Sequence, residues 1–356
     1  MRRVVVTGSR GYIGAIVVSE LRALQYEVIG LDAGWFDRWA WQNRADAGRG
    51  NVDIRDVDAQ MLRGAFAVVH LAALSNDPLG SLDPGLTEDI NALATARLAQ
   101  AALAAGVERF VLASSCSVYG AAGADWVDEG SPLRPLTPYA DSKCVAERAV
   151  VGLAGGGFVP VILRFATVFG FSPSMRLDLV ANNLAAWALA TGEVRLQSNG
   201  RAWRPLVHVR DVARAVVASL RAPAPAVSGQ VINVGSNENN FTVASLAEAV
   251  SAATDGARIL VGRGAAEDHR SYRVRFDKLA ALLPSAVPRV SIEQGLAEIV
   301  SKLQEKGIDE AQLTRGEFSR LHQLRCLREG GELDNRLRWK AGRSYVGSCE
   351  SGVEKN

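Results

Sequence analysis

The sequence is poor in cysteine, has little net charge and contains no long apolar run. Its only cysteines are Cys116, Cys144, Cys326 and Cys349, and they form no CxxC pair and no Cys/His spacing typical of a metal site. The net charge is +2 with both signs mixed, so nothing indicates a nucleic-acid surface. No apolar run is long enough to span a bilayer, and glycines interrupt the first apolar run too early for a signal peptide. We therefore expect a cytoplasmic protein with reduced thiols and no metal.

Hydrophobic residues make up 48% of the 356 residues, which allows one large or two interlocked domains. Several apolar runs have the length of buried strands, and helical patterns separate them. The strands predicted in the first half are residues 4–6, 27–31, 52–54, 67–73, 109–115 and 159–165. Such an alternation predicts an α/β fold of the Rossmann type, a doubly wound parallel sheet with helices on both faces.

A glycine-rich turn follows the first predicted strand. Gly8, Gly11 and Gly14 are spaced three apart and precede a predicted helix. Such a turn lets a pyrophosphate rest on backbone N–H groups at a helix N-terminus, although glycines also mark ordinary turns in other α/β proteins. Asp32 ends the second predicted strand, roughly 20 residues later, where an acid binds a ribose 2′-hydroxyl. The stretch predicts a dinucleotide site, and Asp32 favours NAD because a carboxylate would repel the 2′-phosphate of NADP.

The alternation of strands and helices predicts two domains. We expect residues 1–170, together with about 205–235, to form the NAD-binding Rossmann domain. Residues 171–204 and 236–314 leave the strict alternation, and we expect them to form a smaller α/β substrate-binding domain. Residues 315–356 are charged and carry no catalytic motif, so we expect a partly disordered C-terminal extension with short helices at 317–327 and 333–339. The aromatic loop at 35–41 is either a lid, a partner surface or a loop packed on the core.

Tyr139 and Lys143 lie four residues apart, on one face of a helix predicted at 138–153. A phenol is a poor base near neutral pH because its pKa is about 10. The Lys143 ammonium and a positively charged nicotinamide would both lower that pKa, so that Tyr139 can take a proton from a substrate hydroxyl. Ser115, at the polar end of a predicted strand, can hydrogen-bond the same hydroxyl. The alternatives are a solvated Tyr/Lys pair and a turn hydroxyl that caps local backbone.

These motifs occur together in one known group of enzymes. The chain contains Thr7-Gly8-x-x-Gly11-x-x-Gly14, Asp53-Ile54, His70-Leu71-Ala72-Ala73, Ser114-Ser115-Cys116-Ser117-Val118-Tyr119-Gly120 and Tyr139-x-x-x-Lys143. On these residues it resembles the extended short-chain dehydrogenase/reductases from residue 1 to about 300. Within them it is similar to the NAD-dependent nucleotide-sugar epimerase/dehydratase group, in the manner of the UDP-glucose 4-epimerases.

The resemblance implies NAD as cofactor, a nucleotide-diphospho-sugar as substrate, and Ser115, Tyr139 and Lys143 as catalytic residues. The predicted cofactor-binding residues are Gly8, Gly11, Tyr12, Ile13, Gly14, Asp32, Asp53, Ile54, Leu71, Ala72, Ala73, Tyr139 and Lys143. The predicted substrate-binding residues are Asn91, Thr167, Met175, Arg176, Asn183, Trp203, Arg204 and Arg270.

These assignments rest on different arguments. By resemblance, Asn91 lies on a helix behind the active site, and Arg204 and Arg270 meet the substrate diphosphate. A guanidinium suits a diphosphate through bidentate, charge-assisted bonds, and a surface ion pair is the alternative for Arg204. The other residues of the substrate domain, Met175, Arg176, Asn183 and Trp203, either line the pocket or pack in the core.

Departures from the family pattern narrow the reaction. By resemblance, the 4,6-dehydratases carry an Asp-Glu pair directly after the catalytic Thr, where this chain has Cys116 and Ser117. Neither side chain has the acid/base range of a carboxylate, so we do not expect 4,6-dehydration. The galactose epimerases of the group have an asparagine where this chain has Thr167, which leaves the identity of the sugar open.

We therefore expect epimerisation of a nucleotide sugar, at C4, through a keto-sugar that turns within the pocket before the hydride returns. Two alternatives remain open: a nucleotide-sugar 4-keto-reductase or oxidase that transfers one hydride, and a non-catalytic NAD-binding regulator. By resemblance, the helices at 89–105 and 138–153 also suggest a homodimer built on a four-helix bundle.

Overall fold

The computed structural model describes residues 1–41, 51–262 and 270–340. Within these ranges the strands are Arg3–Thr7 (β1), Glu27–Leu31 (β2), Ala67–His70 (β3), Arg109–Ser115 (β4), Ala121–Val127 (β5), Val159–Phe165 (β6), Thr167–Phe169 (β7), Glu193–Leu196 (β8), Trp203–His208 (β9), Gln230–Val234 (β10), Asn240–Thr242 (β11), Arg258–Val261 (β12) and Ser271–Val274 (β13).

The α-helices of the same ranges are Tyr12–Ala23 (α1), Ala59–Leu62 (α2), Asp77–Gly80 (α3), Pro84–Thr87 (α4), Ala94–Ala104 (α5), Pro138–Val151 (α6), Val180–Thr191 (α7), Val209–Arg221 (α8), Ala224–Val227 (α9), Val243–Ala253 (α10), Asp277–Leu282 (α11), Ile292–Lys306 (α12), Glu310–Thr314 (α13) and Arg320–Glu329 (α14). A π-helical stretch, Glu88–Leu93, joins α4 to α5. None of these helices has the length and apolar character needed to cross a membrane.

A six-stranded parallel sheet forms the centre of the fold, in the order β10-β6-β4-β3-β1-β2. Side chains of β1 alternate between the two faces of this sheet. Val4 and Val6 pack in a core with Val216 of α8, whereas Val5 packs on the other face with Leu98 of α5. Both faces are therefore covered by helices, which confirms the predicted Rossmann-type α/β fold.

Smaller sheets and helices follow the Rossmann unit in the chain. One sheet has the order β11-β9-β7, and two strand pairs are β12-β8 and β13-β5. Leu184 of α7, Leu246 of α10 and Leu296 of α12 meet in one buried core beside β8. The boundaries at 170, 204 and 235 stay a prediction, although β10 lies in the central sheet beside β6.

The strand predicted at 52–54 is absent from the described structure, so that prediction is wrong. The Val52 N–H donates to the Asp32 carbonyl at 2.8 Å, but residues Ile54–Asp56 then form a 3-10 turn. The Asp53 side chain causes this turn, because its carboxylate accepts the Arg55 N–H at 2.9 Å. Such a local side-chain bond competes with a strand ladder.

The C-terminal segment differs from its prediction in part. A helix does occur near 317–327, at Arg320–Glu329, but 333–339 is not helical. There the Asp334 carboxylate accepts the N–H groups of Arg336 and Arg338, and Leu333 pairs with Trp339 in an antiparallel bridge. Residues 341–356 lie outside the described residues, so the disorder predicted at the C-terminus stays a prediction.

Candidate active site

A cavity of about 960 Å³ opens at the carboxyl ends of β1, β3 and β4, the edge at which ligands collect in parallel sheets. Most of the predicted site residues line it. These are Gly8, Gly11, Tyr12, Ile13, Gly14, Asp32, Asp53, Ile54, Leu71, Ala72, Ala73, Ser115, Tyr139, Lys143, Thr167, Arg176, Asn183, Arg204 and Arg270. The folded chain therefore brings residues from both halves of the sequence to one cavity.

The glycine turn packs too tightly for side chains. Gly8 has φ +66°, and a Cβ there would lie 2.8 Å from the backbone nitrogen of Ala72. A Cβ on Gly14 would lie 1.9 Å from the Gly8 carbonyl oxygen, so only glycine lets α1 start this close to β1. No side chain caps the N-terminus of α1. The turn and the uncapped helix together form a cradle that fits a dinucleotide pyrophosphate.

Asp32 is held rigidly beside this cradle. Its two carboxylate oxygens accept the backbone N–H groups of Arg10 at 2.9 Å and Gly34 at 2.8 Å. The Arg10 guanidinium reaches back over the loop, where it donates to the Asp32 carbonyl and lies 3.2 Å from the Asp37 carboxylate. The carboxylate is thus fixed at the cavity wall, in the position expected for binding a ribose hydroxyl.

Tyr139 and Lys143 project from the first turns of α6. Thr137 caps this helix by accepting the Ala140 N–H at 3.2 Å, and Pro138 occupies its first turn. The Lys143 ammonium donates to the carbonyl oxygen of Ala113 in β4 at 2.9 Å and lies 5.9 Å from the centre of the Tyr139 ring. The helix cap and this bond fix both side chains against the strand that ends in Ser115.

Burial controls the ionisation of both groups. Burial raises the pKa of Tyr139 to about 12, and a hydrogen bond from the Ser115 hydroxyl opposes this rise. Burial also lowers the pKa of Lys143 to about 8, and the Glu147 carboxylate opposes that fall. The sequence predicts that Lys143 lowers the pKa of Tyr139. In the folded protein, desolvation of the phenol has the largest effect, so the pKa lies above its usual value.

Ser115 and its neighbours show which side chains face the cavity. The Ser115 hydroxyl accepts the Ser117 N–H at 3.1 Å, so it caps local backbone as well as contacting the phenol of Tyr139. The Cys116 thiol points away and donates to the Arg164 carbonyl at 3.4 Å, and burial raises its pKa. The Ser117 side chain lines the cavity. The two residues that follow Ser115 therefore bring no carboxylate to the cavity.

Arg176 and Asp178 form a buried ion pair in the cavity wall. Arg176 Nε lies 2.9 Å from Asp178 Oδ1, and Arg176 Nη2 lies 3.0 Å from Asp178 Oδ2. The guanidinium also donates to Ser75 Oγ at 3.1 Å, and Asn76 donates to Asp178 at 2.9 Å. The positive charge of Arg176 favours the ionised form of Tyr139 and so reaches the catalytic phenol.

Arg204 and Arg270 lie together at another part of the wall. The Arg204 guanidinium donates to the carbonyl of Trp203 at 2.8 Å and to that of Arg270. Arg270 forms an ion pair of 2.7 Å with Asp77, which also accepts the Thr137 hydroxyl. The two guanidiniums form a cationic patch suited to a diphosphate. The preceding residues, 263–269, lie outside the described residues.

Three predicted substrate residues do not reach the cavity wall. Asn91 is 1% exposed because its amide binds the backbone N–H and C=O of Leu74 and the Ser142 hydroxyl. Met175 is also 1% exposed and packs in the core that α7, α10 and α12 form. Trp203 starts β9, and its ring stacks on the guanidinium of Arg273 at 4.9 Å. Asn91 and Met175 are therefore held within the protein core, and Trp203 contacts Arg273, so none of the three is placed to contact the substrate directly.

Other wall residues were missed by sequence reasoning. Asn76, Asp77 and Asp178 line the cavity, as do Phe318 and Arg320 from the C-terminal segment. Asp178 follows Arg176 by two residues, and that alternation of opposite charges is a signal that could have found it. Phe318 and Arg320 belong to no motif, so only the fold reveals their position.

Comparisons with known proteins agree with this geometry. Residues 4–235 match the NAD dependent epimerase/dehydratase family. A UDP-glucose 4-epimerase of Mycolicibacterium smegmatis is 33% identical over 257 residues, which are 67% of this chain and 79% of that protein.

Solved structures extend the comparison. MoeE5 in complex with UDP-glucuronic acid and NAD is 30% identical, with a TM-score of 0.73, over 86% of this chain and 99% of MoeE5. TunA, an NAD-dependent NDP-hexosamine 5,6-dehydratase, is 25% identical with a TM-score of 0.75, over 86% of this chain and 98% of TunA. Members of this fold thus include both epimerases and dehydratases.

The family match covers the glycine turn, the residues Ser115, Tyr139 and Lys143, and the central sheet. It confirms the predicted resemblance, the enzyme class and NAD as the cofactor. The residues present fit that cofactor, because Gly8, Gly11 and Gly14 line the cavity without side chains and no side chain caps the N-terminus of α1 beside them. This chain belongs to the NAD-dependent epimerase/dehydratase family of nucleotide-sugar enzymes.

Proposed function

We propose that the protein epimerises a nucleotide-diphospho-sugar at C4 through transient oxidation to a keto-sugar. The observation that carries this proposal is that Ser115, Tyr139 and Lys143 share one cavity with the glycine turn and with Arg204. A reacting hydroxyl at Tyr139 and a diphosphate at Arg204 would then be held by the same cavity.

The protein groups divide the proton work between them. Tyr139 in its phenolate form takes the proton from the C4 hydroxyl, and as the phenol it later returns this proton to the oxygen on the opposite face of the sugar. Ser115 orients that hydroxyl, and its hydrogen bond and the charge of Arg176 favour the phenolate on which the step depends. Bound NAD would supply the acceptor for the C4 hydride and the donor that returns it. The phenol needs this help because its pKa lies at about 12 in the buried site.

The substrate must turn without leaving, and the cationic patch offers the means. Arg204 and Arg270 would hold the diphosphate while the keto-sugar rotates about its link to it. The guanidinium fork suits this because it binds phosphate oxygens bidentately. The C4 carbonyl of the keto-sugar carries no charge and is held only by hydrogen bonds, so the ring is free to present its other face to Tyr139.

The position of Cys116 argues against dehydration in the manner of the 4,6-dehydratases. That reaction needs an acid/base group after Ser115, but the Cys116 thiol donates to Arg164 and has a raised pKa. A thiol held in its neutral form cannot act as a base near neutral pH.

A direct test starts with the cofactor content of the purified protein. The protein is denatured and its released NAD measured. It is then incubated with UDP-glucose and UDP-glucuronic acid without added cofactor and followed by proton NMR. Stoichiometric NAD and a C4-inverted product are expected. Turnover only after addition of NADH or NADPH would identify a reductase instead, and bound NAD without any turnover would identify a regulator.

We also propose that the protein forms a homodimer through α5 and α6. These helices lie side by side, and Leu93 and Leu103 are 46% and 40% exposed at the end of the π-helical stretch and on α5. Apposition of two copies would bury these leucines in a four-helix arrangement. Light scattering should show a dimer, and a monomer at micromolar concentration would contradict this part of the proposal.

A further inference from the structure

The described C-terminal residues 320–340, here called the C-terminal strap, lie against the wall of the NAD site. The match to the family ends at residue 235, well before this segment. The strap consists of α14 and the turn that follows it. Among its contacts are the loop after β2 and the 3-10 turn at Ile54–Asp56, two segments whose residues line the cavity.

Polar contacts join the end of the strap to the cavity wall. The Trp339 indole donates to the carbonyl oxygen of Ala33 at 2.6 Å. The Arg338 guanidinium lies 3.5 Å from the Asp53 carboxylate and forms an ion pair with Asp56. Ala33 and Asp53 both line the cavity. The strap thus binds the cavity wall at two points, Ala33 in the loop after β2 and Asp53 beside the 3-10 turn.

Three further contacts hold the strap, two from Arg320 at its start and one from Glu332 after α14. Arg320 is 3% exposed and places its guanidinium 4.3 Å from the centre of the Phe36 ring. The same guanidinium donates to the Ser174 hydroxyl at 2.7 Å, which joins the strap to the segment between β7 and α7. Glu332 forms an ion pair with Arg38 of the loop after β2.

An apolar core connects the strap to the same wall. Leu324, Leu327, Leu333 and Leu337 are buried in one cluster with Trp35 and Ile54. The hydrophobic contacts therefore bind the strap to the loop and the 3-10 turn at once. Residues outside the strap, among them Leu79 and Ile90, belong to the same cluster, so the strap adds a second apolar layer to the loop and the 3-10 turn, neither of which is a strand.

We propose that the C-terminal strap holds the adenosine wall of the NAD site closed and so slows the release of the cofactor. Asp32 is the residue expected at the ribose, and the family resemblance implies that Asp53 lies beside the adenine. Release of the adenosine half needs the wall segments to move apart, and the strap opposes this movement through Ala33 and Asp53. The inference deepens the proposed function and rests on it for its purpose, because an epimerase must keep its reduced cofactor until the hydride returns.

The test measures release of NAD from the full-length protein. Holoenzyme is mixed with excess isotope-labelled NAD, and the exchange of bound for labelled cofactor is followed by mass spectrometry. We expect the double variant R338A/W339A to exchange roughly tenfold faster than the wild type, because it loses a charged and a neutral hydrogen bond. Arg336→Ala is the matched control, since Arg336 lies in the same turn with its side chain 72% exposed.

Several outcomes decide the matter. Equal exchange rates for the wild type and a folded double variant would overturn the inference, as would a wild type that already exchanges within seconds. If the double variant does not fold, Trp339→Phe keeps a smaller aromatic ring and removes the donor to Ala33. It should exchange about threefold faster, and an unchanged rate would again overturn the inference. The readout needs no sugar, so an inactive protein that holds NAD through its strap would contradict only the proposed function.

Discussion

Glu147 and Arg164 form a buried bidentate ion pair one helical turn beyond Lys143. Arg164 Nε lies 2.9 Å from Glu147 Oε1 and Nη2 lies 2.6 Å from Oε2, and both side chains are 5% exposed. Glu147 also accepts the Ser114 hydroxyl, and Arg164 donates to Tyr119 at 3.0 Å. Glu147 lies one turn after Lys143 on α6, so the pair joins this helix to β6, and the bond from Ser114 joins it to the strand that ends in Ser115.

Glu147→Gln should change the pH dependence of turnover as well as stability. The Glu147 carboxylate raises the pKa of Lys143, whereas burial lowers it to about 8. Without the carboxylate, Lys143 loses its proton at lower pH, and the alkaline limb of the kcat profile should move to lower pH by about one unit. The variant also leaves the buried charge of Arg164 without its counter-ion, which lowers the free energy of unfolding by about 3 kcal/mol. Asp141→Asn, on the exposed face of the same helix, should leave the profile in place. An unmoved limb in a folded Glu147→Gln protein would refute the role of Glu147.

Lys143→Met should stabilise the protein at neutral pH while it abolishes turnover. Burial lowers the pKa of Lys143 from 10.5 to about 8, so the buried charge lowers stability below pH 8. This penalty disappears as the pH rises from 8 to 10.5, because the folded state then gives up its proton before the unfolded state does. Removal of the charge should contribute about 3 kcal/mol at pH 7, and loss of the bond to Ala113 should cost about 1.

Urea unfolding of the cofactor-free proteins at pH 7 and pH 10.5 measures this difference. The variant should be more stable by about 2 kcal/mol at pH 7 and less stable than the wild type at pH 10.5. A stability difference that does not depend on pH would show that Lys143 carries no burial penalty.

Gly14→Ala should destroy the NAD cradle. The added Cβ would lie 1.9 Å from the Gly8 carbonyl oxygen, which belongs to the backbone and cannot turn aside. The free energy of unfolding should fall by about 3 kcal/mol, and the purified protein should contain no NAD. The control is Gly152→Ala at the end of α6, where the nearest atom, the Arg148 carbonyl oxygen, lies at an ordinary 3.4 Å. NAD bound at the wild-type ratio in Gly14→Ala would contradict the assignment of the turn.

His70 should make the protein sensitive to acid. Its ring nitrogens lie 2.7 Å from the hydroxyl oxygens of Thr7 and Thr95, and burial lowers its pKa from 6.5 to about 3. The unfolded state therefore binds a proton below pH 6.5 that the folded state refuses. Stability is complete above pH 6.5 and falls towards pH 3 by up to about 1.4 kcal/mol per pH unit.

His70→Asn removes the titrating group and tests this origin of the acid sensitivity. The slope of unfolding free energy against pH between 6.5 and 4 should become shallower in this variant. His322→Asn replaces an exposed histidine and should keep the wild-type slope. Identical slopes for all three proteins would show that other groups cause the acid sensitivity.

The central sheet and the catalytic cavity could be predicted from the sequence because their signals are local. The strand of Val4–Val6, the glycines that follow it and the Tyr139/Lys143 pair each lie within a few residues, and short-range periodicity specifies them. The strand predicted at 52–54 failed for a related reason. The Asp53 carboxylate binds the backbone of Arg55, and this local bond outweighs the apolar pattern.

Features that depend on distant contacts could not be predicted in this way. Strands Ala121–Val127 and Ser271–Val274 pair in parallel although about half of the described chain separates them, and their register shifts at one point. Asn91 carries a polar side chain typical of a site, yet Leu74 and Ser142 consume its hydrogen bonds. Arg320 joins the cavity wall only because the strap folds back, and no residue pattern near it indicates this return.

Deuterium at C4 of the substrate tests the central claim most directly. UDP-glucose or UDP-glucuronic acid labelled with deuterium at C4 is incubated with the holoenzyme in ordinary water, and the product is examined by NMR and mass spectrometry. Removal and return of a single hydride predict that the deuterium remains on C4 of the inverted product. Tyr139→Phe should retain NAD and form almost no product. Loss of the label to water, or an inverted product formed at the wild-type rate by Tyr139→Phe, would contradict the account.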